Sequence, residues 1–177
     1  VHQLSEAGYE HYEISNFARQ GHRSRHNWDC WTGAEYVGVG VSAHSYLEGR
    51  RFWNGTDLDE YMKRMRACGH ARAGEECLPP AAARGEALWL GLRTCEGVCL
   101  SVMERERLVE SDLWRRLQAG GQARLEEDRL RLTAAGFAVA DALSLAVVDV
   151  VVEDDDVDLV PAGTQRAHHP LSCENWS

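Results

Sequence analysis

The sequence predicts a mixed α/β chain: an α/β part with short strands, then a small winged-helix-like α+β part, then a polar tail. Three observations predict this. Period-two alternation runs through "YEHYEISNFA" and "EYVGVGVSAHSY", as in strands with one buried face. A helix, helix, hairpin, helix order fills residues 81–148. Pro79-Pro80 stands between the two parts and is the strongest break in the chain.

In chain order, residues 1–8 read as the end of a helix closed by Gly8. "YEHYEISNFA" reads as a strand, with Tyr9, His11, Glu13 and Ser15 alternating against Glu10, Tyr12, Ile14 and Asn16. "RQGHRSRHN" is polar and contains Gly, so a loop is expected. "EYVGVGVSAHSY" reads as a second strand. Gly38 and Gly40 would share a face there and leave room for a ligand or another backbone. "GRRFWNGTD" adds a short strand and a turn at Asn54-Gly55.

Thr56 or Asp57 can cap a helix over residues 58–68, ended by Gly69. "GHARAGEECLPP" reads as a polar linker. Helices are then expected over residues 81–92 and 101–119, the second ended by Gly120-Gly121. "ARLEEDRLRLT" predicts a hairpin of Ala123–Leu125 against Arg129–Leu132, and Thr133 caps a last helix. After Val148 the helical period is lost. The expected organisation is therefore 1–78, 79–148 and an acidic, disordered tail 149–177.

Composition removes several function classes. The formal net charge is −9, of which residues 149–177 supply −6 through seven acids and one base. Residues 84–132 hold nine bases and nine acids, so the winged-helix-like part lacks the basic footprint that phosphate binding needs. No nucleic-acid partner is expected. No run approaches the roughly 18–20 apolar residues of a membrane helix. The start, "VHQLSEAGYE", lacks the features of a secretory signal and opens as though inside a helix. A cytoplasmic piece of a longer protein, with reduced thiols, is expected.

Cys95 and Cys99 form a C-x3-C, but position 102 is Val, where a C-x3-C-x2-C cluster loop needs a third Cys. Two buried thiols near a turn are expected instead. His22 and His26 have the four-residue spacing of a helical metal pair, but the segment reads as loop and no Glu follows His22. Glu13 on a strand reads as one half of a charge pair on the pleat. The acidic block Glu153–Asp158 lacks the spacing and central Gly of a calcium loop.

Several motifs in order carry a resemblance. "GYEHYEISNFARQGHRSRHNWDCW" followed by "YVGVGVSAHSY" resembles the C-terminal half of the radical S-adenosylmethionine proteins related to oxygen-independent coproporphyrinogen III oxidase, most of all its HemW-type haem chaperones. "EALWLGLRTCEGV" and "RLTAAG" resemble that family's accessory C-terminal domain. The resemblance covers residues 1–148 and implies the last strands of an open TIM-like barrel followed by a small helical, winged domain. For the intact protein it implies a 4Fe-4S cluster, S-adenosylmethionine and haem. The cluster motif is absent here, so no metal ligand and no catalytic residue is assigned, and the chain alone is expected to hold none of these groups stably.

Site residues follow from the resemblance. His26, in "HNWDCW", matches the histidine implicated in haem binding in the chaperone branch. A neutral imidazole ligates haem iron, and aromatic neighbours such as Trp28, Trp31 and Tyr36 can pack on a porphyrin face. The alternative is that His26 and Asn27 only pin a loop. Cys30 stands where the family pattern has Tyr. Ala18 and His44 match positions that contact S-adenosylmethionine at strand ends, with strand-end packing as the alternative. The implied function is haem handling, with haem or porphyrin and a haem-acceptor protein as partners. Oxidative decarboxylation of coproporphyrinogen III, or an inert interaction module, are the alternatives.

Overall fold

The structure, a computed structural model, describes residues 1–152. Residues 153–177, with the acidic block and the tail expected to be disordered, lie outside the described residues. The chain is a mixture of helices and short antiparallel strands. It forms two compact units: residues 1–34 together with 79–152, and residues 35–78. The break at Pro79 coincides with a unit boundary, but residues 1–34 group with the segment beyond it.

In the first unit, helix α1 (His2–Glu6) leads through Gly8, at φ +79°, into strand β1 (Glu10–Glu13). Strand β2 (Asn16–Ala18) returns antiparallel, with Glu10 opposite Ala18 and His11 opposite Phe17. The alternating run "YEHYEISNFA" is therefore a hairpin, not the single expected strand. The buried Glu13 carboxylate closes the turn. It accepts the Ser15 N–H at 2.9 Å and the Asn16 side-chain amide. A charge with both oxygens satisfied can turn a chain that the apolar pattern alone would carry straight on. Two backbone bonds join this hairpin to the far segment: Ile14 N–H to Arg93 O at 2.8 Å and Cys95 N–H to Tyr12 O at 3.0 Å.

Helix α2 (Arg25–Trp31) follows the hairpin, where a loop was expected. After residue 79 come helix α4 (Pro80–Gly91), strand β6 (Val98–Cys99), helix α5 (Val102–Glu110) and helix α6 (Asp112–Ala119). The helix expected over 101–119 is two helices, because the Ser111 hydroxyl accepts the Trp114 N–H at 3.1 Å and starts a new N-terminus. Strands β7 (Ala123–Glu126) and β8 (Arg129–Leu132) form the expected hairpin, and β6 adds a third strand in the order β6-β8-β7.

Thr133 caps only a short helix, α7 (Ala134–Phe137). Helix α8 (Ala140–Val151) then runs three residues past the expected end at Val148. "DVVV" reads as strand by propensity. Burial of Val147 and Val151, and an Arg107 Nη1 bond to Val151 O at 2.9 Å, hold it helical. Leu88, Leu92, Leu108, Leu117, Leu130 and Val147 form the centre of this unit's core, all at 0–1% exposure.

The second unit is a three-stranded meander, β3 (His44–Leu47), β4 (Arg50–Asn54) and β5 (Arg72–Cys77), with helix α3 (Leu58–Cys68) between the last two strands. Helix α3 matches its expected bounds. Asp57 caps it by accepting the Glu60 N–H at 2.8 Å, and Gly69 ends it at φ +73°. Segment 72–77, expected as a linker, is an edge strand. It is mostly exposed, so it has no buried face whose alternation could reveal it.

The long strand expected over "EYVGVGVSAHSY" is also broken. Tyr36 makes one bridge to Tyr46, Gly40 and Ser42 take positive φ, and the chain folds back before β3. A Cβ on Gly38 would lie 2.1 Å from the His44 carbonyl oxygen, so the close approach expected at this glycine is to backbone.

Candidate functional site

Helix α2 is the element that carries the histidine singled out by sequence. Ser24 caps it in extended geometry, its hydroxyl accepting the Asn27 N–H at 3.3 Å. His26 is therefore the second residue of a helix rather than part of a loop. It is exposed, and among the described residues its ring has no hydrogen-bond or ion-pair partner. The pinning alternative for His26 thus has no bond behind it. His22 lies before the cap, outside the helix, and its Nδ1 is 3.0 Å from Gln20 O. The four-residue helical geometry of a His22/His26 metal pair is not formed.

Helix α2 has seven residues and buries none of them, so its placement depends on what holds its start. Arg23 does this. Its Nε and Nη2 donate to the two carboxylate oxygens of Glu10 at 3.0 and 2.5 Å. Nη1 donates to Glu96 Oε1 at 3.0 Å, and Nη2 lies 3.4 Å from Cys95 Sγ. The guanidinium carbon sits 4.9 Å from the Trp28 ring centre and 5.9 Å from that of Tyr12. The Tyr12 and Trp28 rings are themselves 6.4 Å apart.

The electrostatics follow from this clamp. Its bond to Arg23 holds the Glu10 carboxyl below the usual range, against some burial. Glu10 and Glu96 hold Arg23 charged. Burial pushes the Cys95 thiol up, with Glu10 and Glu96 adding to the effect and Arg23 opposing it. Cys95 is thus a half-buried, protonated thiol, while Cys99 is exposed rather than buried. No sequence signal pointed to Arg23, because its acidic partners lie 13 and 73 residues away.

Ala18 ends β2 at 6% exposure, so its small side chain is enclosed. His44 opens β3 in the other unit, exposed, with its ring stacked on Trp53 at 5.8 Å and 27°. Glu13 is a buried turn clamp rather than half of a charge pair on the pleat.

If haem is bound here, His26 would be the residue to hold its iron, as an exposed imidazole with no partner among the described residues. Trp28 is packed under Arg23, which leaves its ring less available for a porphyrin face. Cys30, one turn after His26, is exposed. Among the described residues no three His, Cys, Asp or Glu side chains converge on one point, so these residues do not fit a 4Fe-4S cluster. The first unit has two open clefts, one of them beside the Arg23 clamp. One, of 570 Å³, is lined by residues that include Glu10, Gly21 and Arg23, and one of 610 Å³ by residues that include Trp89, Leu145 and Val148. Among the described residues no helix is long and apolar enough to cross a membrane.

Comparison with known proteins gives a consistent group of relatives. No family model matches the chain. "Heme chaperone HemW" of Lactococcus lactis is 38% identical over 103 residues, 58% of this chain and 27% of the relative. The protein of the same name from Mycobacterium tuberculosis is 36% identical over 143 residues, 79% of this chain and 35% of its own length. "Radical S-adenosyl methionine domain-containing protein 1, mitochondrial" of Bos taurus is 32% identical over 166 residues, 85% of this chain and 38% of the relative. The chain therefore spans about a third of the length of these relatives. Among solved structures, the radical SAM enzyme coproporphyrinogen III oxidase (HemN) from Escherichia coli matches with a TM-score of 0.62. It shares 17% identity, over 84% of this chain and 38% of that one, a likeness of fold alone.

Proposed function

We propose that this chain, a relative of the HemW haem chaperones and of radical S-adenosyl methionine domain-containing protein 1, is part of a haem-handling protein in which helix α2 offers His26 to haem iron. The observation that carries the proposal is the exposed His26 imidazole, free of partners among the described residues, on a helix whose start is clamped. Bound haem would supply an open iron coordination position. The chain's part is to present the His26 imidazole at that position and to release it, as transfer to an acceptor protein requires.

In this reading the strands before Pro79 come from the end of an open TIM-like barrel and residues 79–148 from a small winged-helix-like domain, although within this chain those strands pair antiparallel and residues 1–34 group with the segment after Pro79. The likeness of fold to HemN supports this assignment. By the resemblance alone, Ala18 and His44 are each proposed as S-adenosylmethionine contacts of the intact protein; in this chain Ala18 is enclosed and His44 exposed, in different units. The 4Fe-4S cluster of the intact protein has no ligands among the described residues of this chain. A cytoplasmic location and the absence of nucleic-acid partners go with the same reading.

Titration of the 177-residue chain with haemin, followed by absorbance, tests the proposal. Weak, reversible binding with the spectrum of an imidazole-ligated iron is expected, and His26→Ala is expected to lose that spectrum. A His26→Ala chain that binds haemin as the parent does would remove the ligand assignment. A second reading, oxidative decarboxylation of coproporphyrinogen III, has only the fold of HemN behind it. A decarboxylation assay on the intact, cluster-loaded protein separates the two.

A further inference from the structure

We infer that Arg23 is a positioning residue: it fixes helix α2 and so sets where His26 meets haem iron, an inference that rests on the haem reading. A helix of seven residues is far below the roughly 12–15 at which isolated helices become even marginally stable. The Ser24 cap adds only one long hydrogen bond, from the Asn27 N–H at 3.3 Å. Tertiary contacts must therefore hold α2, yet none of its residues is buried. The ring and ion contacts recorded for it run through Trp28, to Tyr12 and to Arg23.

Arg23 directly precedes the cap and stands three residues before His26. It is tied to strand β1 through Glu10 and to the segment after α4 through Glu96. The entry into α2 is thus held from two sides, while the guanidinium face covers the indole of the helix it leads into. Most exposed ion pairs contribute little, but a bidentate arginine shared between two carboxylates and stacked on an aromatic ring is the exception. Lysine keeps the charge but has neither the planar fork nor the stacking face, so it can replace Arg23 only in part.

A purely stabilising role would predict a different pattern. It would lower the melting temperature without changing α2 in the folded state. A positioning role predicts a local change in exchange and affinity in a chain that remains folded.

The test uses the full chain and four variants, Arg23→Ala, Arg23→Lys, Glu10→Gln and His26→Ala, titrated with haemin below every melting transition. Amide hydrogen exchange of the peptide covering residues 24–32 is read in parallel. Arg23→Ala is expected to keep the imidazole-ligated spectrum at saturation but to need about tenfold more haemin, the equivalent of one charge-assisted hydrogen bond. Exchange should rise in residues 24–32 and not in α5 or α8. Arg23→Lys should show a partial loss. Should Arg23→Ala fail to fold, Glu10→Gln carries the same test, with a smaller rise in both readouts expected.

If Arg23→Ala, or Glu10→Gln in its place, titrates and exchanges as the parent does while His26→Ala loses the spectrum, the positioning role is wrong and the haem reading stands. If His26→Ala leaves the titration unchanged, the haem reading fails and takes the positioning role with it.

Discussion

Arg84 and Glu104 face each other across α4 and α5, with Nε and Nη2 of the guanidinium each donating to one carboxylate oxygen at 2.7 Å. The same carboxylate closes a capping box. It accepts the Ser101 N–H at 2.7 Å while the Ser101 hydroxyl accepts the Glu104 N–H at 3.2 Å. Arg84 also donates to Cys99 O at 2.7 Å, which ties strand β6 into the same joint.

One carboxylate thus holds a helix start and a helix pair. Burial pushes the Glu104 carboxyl up, but Arg84 and the Ser101 N–H pull it further down, so it lies below the ordinary carboxylate value. A group depressed in the folded state contributes stability above its unfolded pKa and loses it as pH falls through the folded value. Glu104→Gln should therefore lower stability at neutral pH by about 2 kcal/mol, the range for bonds to a charged group. The deficit should shrink as the parent is acidified below the ordinary carboxylate range. Urea melts of both chains across acid pH check this, and a deficit that does not change with pH would exclude the ion pair as its source.

Gly97 shows a different kind of constraint. It takes φ +62°, and a Cβ there would lie 2.0 Å from the Leu130 carbonyl oxygen, in the partner strand of β6. Its N–H donates to Thr94 O at 3.1 Å and sits 3.2 Å from the Thr94 hydroxyl, so the turn cannot shift without losing bonds. Gly97→Ala adds a left-handed strain of about 1–3 kcal/mol to a backbone collision. The variant should melt well below the parent, and a thermal scan within a degree of the parent's would refute the close approach.

How far the sequence predicts the fold differs element by element. Helix α3 and the β7–β8 hairpin are legible because their signals are local, an Asp57 cap with Gly69 in one case and an acidic turn between apolar pairs in the other. Strand β5 is not, because an exposed edge has no buried face to alternate. Helix α2 is not, because its residues are polar and aromatic and its support comes from Glu10 and Glu96, distant in sequence. The split between α5 and α6 turns on Ser111, whose hydroxyl caps a helix only once the chain has already bent there. His26 is legible by motif resemblance, but the clamp beneath it is a tertiary fact with no pattern along the chain.

Ser144 lies wholly buried on α8, and among the described residues its hydroxyl is the buried side-chain oxygen that has no partner. An orphaned buried hydroxyl costs about 1–3 kcal/mol. Alanine removes that group, improves helix propensity slightly and leaves a void of a single atom. Ser144→Ala should therefore raise the melting temperature by a few degrees, read by calorimetry. A fall would mean that the hydroxyl has a partner, such as an ordered water.

The acid response of the α2 clamp follows from Glu10. Its bond to Arg23 holds the carboxyl below its ordinary value, with burial opposing. The groups facing it are Arg23 and, at 3.7 Å, the Cys95 thiol, while Glu96 faces Arg23 from the other side. By the same linkage, the clamp keeps its contribution above the ordinary carboxylate pKa and loses it as pH falls through the depressed folded value. Glu10 is partly exposed, so the effect on global stability is small and screened by salt. The local effect is not small, because α2 has so little else to hold it. Hydrogen exchange in residues 24–32, corrected for its intrinsic pH dependence, should accelerate on acidification before α5 and α8 respond. Glu10→Gln should show the faster exchange already at neutral pH and lose the acid step. Unchanged exchange in that variant would mean that Glu96 and the Trp28 stacking hold the helix without Glu10.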